Sequence, residues 1–84
     1  MTVQEKIATY VMSGGEIARL SSRQRQIVKL RTEGHPLKAI AADLGISAKT
    51  VEGHWTSATK VLGLFDVALV TQWALKYGLA SWVV

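Results

Sequence analysis

The 84-residue sequence has no cysteine, one proline and no apolar run near the ~18 to 20 residues that a membrane-spanning helix needs. Without cysteine there is no disulfide, no thiolate metal site and no thiol nucleophile. The first residues (Thr2, Gln4, Glu5, Lys6) lack the apolar centre of a signal peptide, so the chain is expected to be soluble and cytoplasmic. Acidic residues are also scarce: six against ten Lys and Arg leave a net charge of +4, which makes polyanions the first partners to consider. Paired carboxylates, a metal-ligand cluster and a Ser-His-Asp arrangement are missing as well, so no enzyme, cofactor or metal site is expected. With 49% hydrophobic residues the chain has enough apolar material to fold, and its length suits one small binding domain.

Several helices are legible from start and stop signals. Val3, Ile7, Tyr10 and Val11 recur at spacings of four and three, which predicts a short amphipathic helix over 2–12, followed by a Ser13-Gly14-Gly15 linker. Ser21 with Gln24 three residues on reads as a capping box opening a first domain helix over about 22–33, with Gly34 at its end. Pro36 permits a new start near Leu37, and Leu37, Ile40, Ala41 and Leu44 share one face of a short second helix. Gly45 is expected to turn the chain, Ile46 to plug the turn and Ser47 to cap a third helix over about 48–62, with Val51, Ala58, Val61 and Leu62 inward. Asp66 is a cap for a fourth helix over about 67–77 that stops at Gly78. The pattern predicts an all-α fold. The division expected is 1–19 as N-terminal helix and linker, 20–79 as the domain, and 80–84 as an apolar tail.

Ala41, Gly45 and Val51 have the spacing of a helix-turn-helix: a small residue at the crossing, glycine at the turn and an apolar anchor on the second helix. Projected at about 100° per residue, a third helix with Val51, Ala58 and Leu62 inward presents Lys49, Gly53, Thr56 and Lys60 outward, with Glu52 and Thr59 beside them. Glu52 can accept a hydrogen bond from a cytosine amino group, Thr56 can bond a base or touch a thymine methyl, and Gly53 lets the backbone come close. Lys49 and Lys60 suit phosphate contacts. Trp55 projects toward the helix junction as packing rather than as a stacking platform. His54 is expected half-buried and hydrogen-bonded, and His35 exposed in a turn. Six of the ten basic residues (Arg19, Arg23, Arg25, Lys29, Arg31, Lys38) lie between positions 19 and 38, which places the positive field on the early helices.

The same stretch resembles the LuxR-type (GerE-type) DNA-binding domain of bacterial transcription regulators. Leu20-Ser21-Ser22-Arg23-Gln24-Arg25-Gln26-Ile27-Val28 is similar to the family's opening motif, Lys38-Ala39-Ile40-Ala41 and Leu44-Gly45-Ile46-Ser47 to its scaffold helix and turn, Lys49-Thr50-Val51-Glu52-Gly53-His54 to its reading helix, and Lys60-Val61-Leu62-Gly63-Leu64 to the segment after it. Gln24 and Gln26 stand where the family has glutamates, and Glu52 where it often has a basic residue. The resemblance implies a four-helix domain that binds an inverted-repeat duplex as a homodimer, with the third helix in the major groove and the fourth at the dimer contact. It implies base-facing roles for Glu52, Gly53 and Thr56 and a phosphate clamp at Lys38. A stripe of Leu69, Val70, Trp73 and Tyr77 on the fourth helix is the expected dimer surface, with the 2–12 helix or the Trp82-Val83-Val84 tail as competing covers; Trp73→Glu is then expected to give a folded monomer. Other readings remain: a sigma-factor region 4-like module, or an interaction module or antagonist that pairs with another regulator through the fourth helix; RNA polymerase is a further partner to consider. Some nineteen residues ahead of the domain leave little room for a sensor, so regulation is expected through abundance, dimerisation or a partner.

Overall fold

A computed structural model describes residues 15–80. The expected 2–12 helix and the 82–84 tail lie outside the described residues. Five helices follow in order: α1 (Gly15–Arg19), α2 (Ser22–Thr32), α3 (Leu37–Leu44), α4 (Ala48–Leu62) and α5 (Val67–Lys76), with no strand among the described residues. The four-helix, all-α domain is as expected, and α2 to α5 are its members.

Each of the three longest helices begins where a side chain satisfies backbone N–H groups that the helix itself leaves unpaired. Ser21 Oγ accepts from the Gln24 N–H (3.1 Å) while Gln24 Oε1 accepts from the Ser21 N–H (2.9 Å), the reciprocal capping box. Ser47 Oγ accepts from the Thr50 N–H, and Asp66 Oδ1 from the Ala68 N–H at 2.7 Å. The ends are equally local. Gly45 adopts φ 68°, a left-handed conformation that a β-carbon makes costly, and this lets the chain reverse from α3 into α4. Ile46 then donates to the Ala41 carbonyl at 3.1 Å and closes the turn.

Three differences from expectation appear at the boundaries. Glu33 caps α2 instead of continuing it, and Tyr77 likewise caps α5. Residues 15–19, expected to be linker, form the single turn of α1, because Glu16 (7% exposed) and Leu20 fold inward and Arg19 pairs with Glu16 across the turn at 3.3 Å.

The interior is two clusters rather than one. Leu20, Val28, Ala58, Leu62, Leu64, Val70, Trp73, Ala74 and Ala80 form the larger, and Ile27, Ile40, Ala41 and Val51 the smaller. α4 serves both: Val51 holds its first half in the smaller cluster with α3, while Ala58 and Leu62 hold its second half in the larger cluster that α2 and α5 also line. α2 lies across both, giving Ile27 to one cluster and Val28 to the other. Trp55, half-buried on α4, packs against both clusters and bridges them, which is the junction-covering role expected of it.

The expected dimer stripe does not survive this packing intact. Val70 is fully buried and Trp73 is 1% exposed within the larger cluster, so neither lies on a free face; Leu69 and Tyr77 are half-buried. The α5 stripe finds its cover in α2 and the end of α4, inside the same chain. A charge at Trp73 would therefore be buried without a partner, and Trp73→Glu is expected to unfold the domain rather than to yield a monomer. Trp73→Ala should lower stability by about 3–5 kcal/mol through lost burial and the cavity left behind, a loss that denaturant titration followed by circular dichroism measures.

Candidate nucleic-acid interface

α4 presents its outer side to solvent along its whole length. Lys49, Glu52, Gly53, Thr56, Ser57 and Lys60 are all exposed, so the residues expected to face outward do so, apart from one. Thr59 is 6% exposed and its hydroxyl donates to the Thr56 carbonyl at 2.7 Å, which removes it from the face. It sits one position from Ala58 and three from Leu62, close enough to the buried stripe for a small side chain to be drawn in.

Gly53 lies in the interior of a 15-residue helix, where glycine costs roughly 0.8–1.0 kcal/mol relative to alanine. The fold gives no reason for it. A β-carbon there would meet nothing within 4 Å, and the backbone is not in the left-handed region. Thr56 and Ser57 continue the low relief beside it. Two lysines bound this shallow centre, and Lys49 and Lys60 lie nearly in line, eleven residues or about 16 Å apart along the axis at 1.5 Å per residue.

Lys38 is exposed in the first turn of α3, and Lys49 in the first turn of α4. Cations there oppose the positive end of the helix dipole, so neither lysine serves its own helix. A bound anion would reverse that penalty.

Two of the cations on the early helices are paired with carboxylates, and the others keep their charge. Lys29 Nζ lies 2.6 Å from Glu33 Oε2, and Arg19 is paired with Glu16. Arg23 Nη1 donates to Gln26 Oε1 at 3.2 Å. Arg31 lies over the Trp55 ring, its guanidinium carbon 5.2 Å from the ring centroid, and its Nε is buried with no hydrogen-bond partner. The Arg31–Trp55 contact was not legible as a pair, although Arg31 does fall in register with the buried Ile27 and Val28, where a cation is out of place. Glu52 carries its charge in the middle of the solvent face of α4.

The expected half-burial of His54 and exposure of His35 are found, while the hydrogen bond expected of His54 is not seen among the described residues. No group of three or more His, Asp or Glu among the described residues is arranged to hold a metal. No single helix among them is long and apolar enough to cross a membrane. Beside the start of α5, Phe65 is 73% exposed and Val67 42%, the large apolar side chains left open to solvent among the described residues.

The geometry agrees with comparisons to known proteins. The family described as "GerE: Bacterial regulatory proteins, luxR family" matches residues 18–74. Over 62 residues, 74% of this chain, the sequence is 38% identical to the transcriptional regulatory protein MctR of Rhizobium johnstonii (strain DSM 114642 / LMG 32736 / 3841). The aligned part is 29% of that protein's length, so the chain spans under a third of this relative. No solved structure matches.

Gly53→Ala should raise the stability of the isolated chain by about 0.8–1.0 kcal/mol, because it restores helix propensity in open space. Equilibrium denaturation reads this directly; a loss of stability would show that the glycine serves the fold after all.

Proposed function

Because the chain belongs to the LuxR family of bacterial regulatory proteins, whose members are regulators and not enzymes, we propose that it binds double-stranded DNA sequence-specifically to regulate transcription, with α4 in the major groove. The observation that carries this reading is the outer face of α4: a shallow centre around a glycine that the fold does not require, bounded by two lysines. A glycine there lets the helix backbone approach base edges. With the lysines about 16 Å apart along the helix axis and the groove about 12 Å wide, their flexible stems reach phosphates on both walls.

Within this reading Glu52 and Thr56 contact bases, with Gly53 as the point of close approach, and Lys49, Lys60 and Lys38 contact phosphates. The phosphate contacts supply affinity and orientation, while the base contacts supply choice. Glu52 has a second effect. Its charge repels phosphates wherever no amino group is there to meet it, so it penalises wrong sequences as well as favouring a cytosine.

The homodimer also belongs here, with its surface revised. Val70 and Trp73 support α5 from beneath, and Leu69 and Tyr77 flank it. The contact itself falls to the exposed residues Phe65, Val67 and Ala68 at the start of the helix. Paired through this face, two α4 helices would meet an inverted repeat with half-sites roughly 34 Å apart. Operation in the cytoplasm on chromosomal DNA follows from the same reading.

Selection of bound fragments from random duplex DNA tests the function. The full chain should enrich a defined inverted repeat, and Glu52→Ala and Thr56→Ala should each relax one position by about 1–3 kcal/mol. Lys38→Ala, Lys49→Ala and Lys60→Ala should each weaken all sequences alike and reduce the magnitude of the log–log salt slope by about 0.9. If no sequence is enriched while the chain binds another regulator tightly, the interaction-module reading replaces this one. For the dimer, Phe65→Glu should leave the circular dichroism spectrum unchanged and shift sedimentation from dimer to monomer; a variant that still sediments as a dimer would remove Phe65 from the contact.

A further inference from the structure

Building on the DNA-reading role of α4, we propose that Arg31 is a positioning residue: lying over the Trp55 ring, its guanidinium sets the roll of the middle of α4 and thereby the alignment of Glu52, Gly53 and Thr56. Between its buried anchors Val51 and Ala58, α4 passes from one core cluster to the other, and the middle of the helix has no fully buried side chain of its own. Trp55 fills that gap but is only half-buried, so its ring needs a second surface to hold it. Arg31, from the last turn of α2, is that surface at 5.2 Å from the ring centroid.

Packing alone does not account for an arginine at this place. Its Nε is buried with no hydrogen-bond partner, a penalty that an unbranched apolar side chain of similar length would avoid. What arginine adds is a planar cation, which stacks face to face on an indole where a lysine ammonium makes only a point contact. Trp55 lies one residue before Thr56 and three after Glu52, so a roll of the helix that displaces its ring also moves the two side chains assigned to base contacts. Such contacts tolerate about 0.5 Å or 10–20° of misplacement before they weaken, which makes a small change of roll sufficient.

The test compares the full chain with Arg31→Met and Arg31→Lys. Thermal unfolding, amide NMR spectra without DNA, and affinity for selected against scrambled duplex over a range of salt are measured for each. Arg31→Met is expected to fold at least as stably as the parent, to shift amide resonances along the solvent face from Lys49 to Lys60, and to lose about tenfold in discrimination at an unchanged salt slope. Arg31→Lys should recover part of the lost discrimination. Wild-type spectra and discrimination in Arg31→Met would overturn the proposal by showing Arg31 to be filler. A salt slope reduced by about 0.9 with all duplexes weakened alike would overturn it too, by making Arg31 a phosphate ligand itself. Should the parent chain prove unselective, the DNA-reading role fails by itself and the spectra decide the roll: shifts along Lys49 to Lys60 support it, and shifts confined to the neighbours of Arg31 and Trp55 refute it.

Discussion

One helix belongs to two cores, and most of the architecture follows from that. α4 is fifteen residues long, yet its buried positions divide between a cluster shared with α3 and another shared with α5. Neither cluster alone would fix its direction. Together they clamp it at both ends, and α2 lies across the seam with Ile27 in one cluster and Val28 in the other. The result is a helix held from behind along its length, with its opposite side wholly in solvent. A rigid rod with one bare side is the simplest way to present side chains to a surface without using a loop.

The electrostatic arrangement is economical in a different sense. A net charge of +4 is modest, and two of the basic residues are paired within the domain, Arg19 to Glu16 and Lys29 to Glu33. The exposed lysines Lys49 and Lys60 bound the solvent face of α4 with Glu52 between them, and Lys38 is exposed at the start of α3. Exposed ion pairs of this kind contribute little to stability, roughly 0.2–1 kcal/mol each. Arg23, Arg25 and Arg31 on α2 keep their charge without a carboxylate partner among the described residues, so the scaffold still carries much of the positive potential, where the sequence put it.

Much of the fold was legible because its boundaries are written in local chemistry. Ser21 with Gln24, Ser47, Asp66, Gly45 and Pro36 each act over three or four residues, and a reader of the sequence meets them in order. The outward face of α4 was legible for a similar reason: helical periodicity alone separates Lys49, Gly53, Thr56 and Lys60 from Val51 and Ala58. What was not legible depended on contacts between distant segments. The stripe of Val70 and Trp73 looked like an interface because nothing in the fourth helix reveals that α2 and Leu62 already cover it. Thr59 and Arg31 were misread in the same sense, a polar residue and a cation both drawn inward, since both outcomes depend on what the neighbouring helix brings. Glu16 was hidden by the glycines before it, which read as linker while the following turn folds onto α4.

The capping box at the start of α2 has a consequence of its own. In place of the more usual carboxylate it uses Gln24, so the two reciprocal hydrogen bonds carry no net charge and nothing in them titrates. Neither added salt nor mild acid removes the interaction that starts the longest scaffold helix. Ionic strength can thus act on the solvent face of α4 as a graded control, loosening or tightening its hold on an anion, while the frame behind that face keeps its shape.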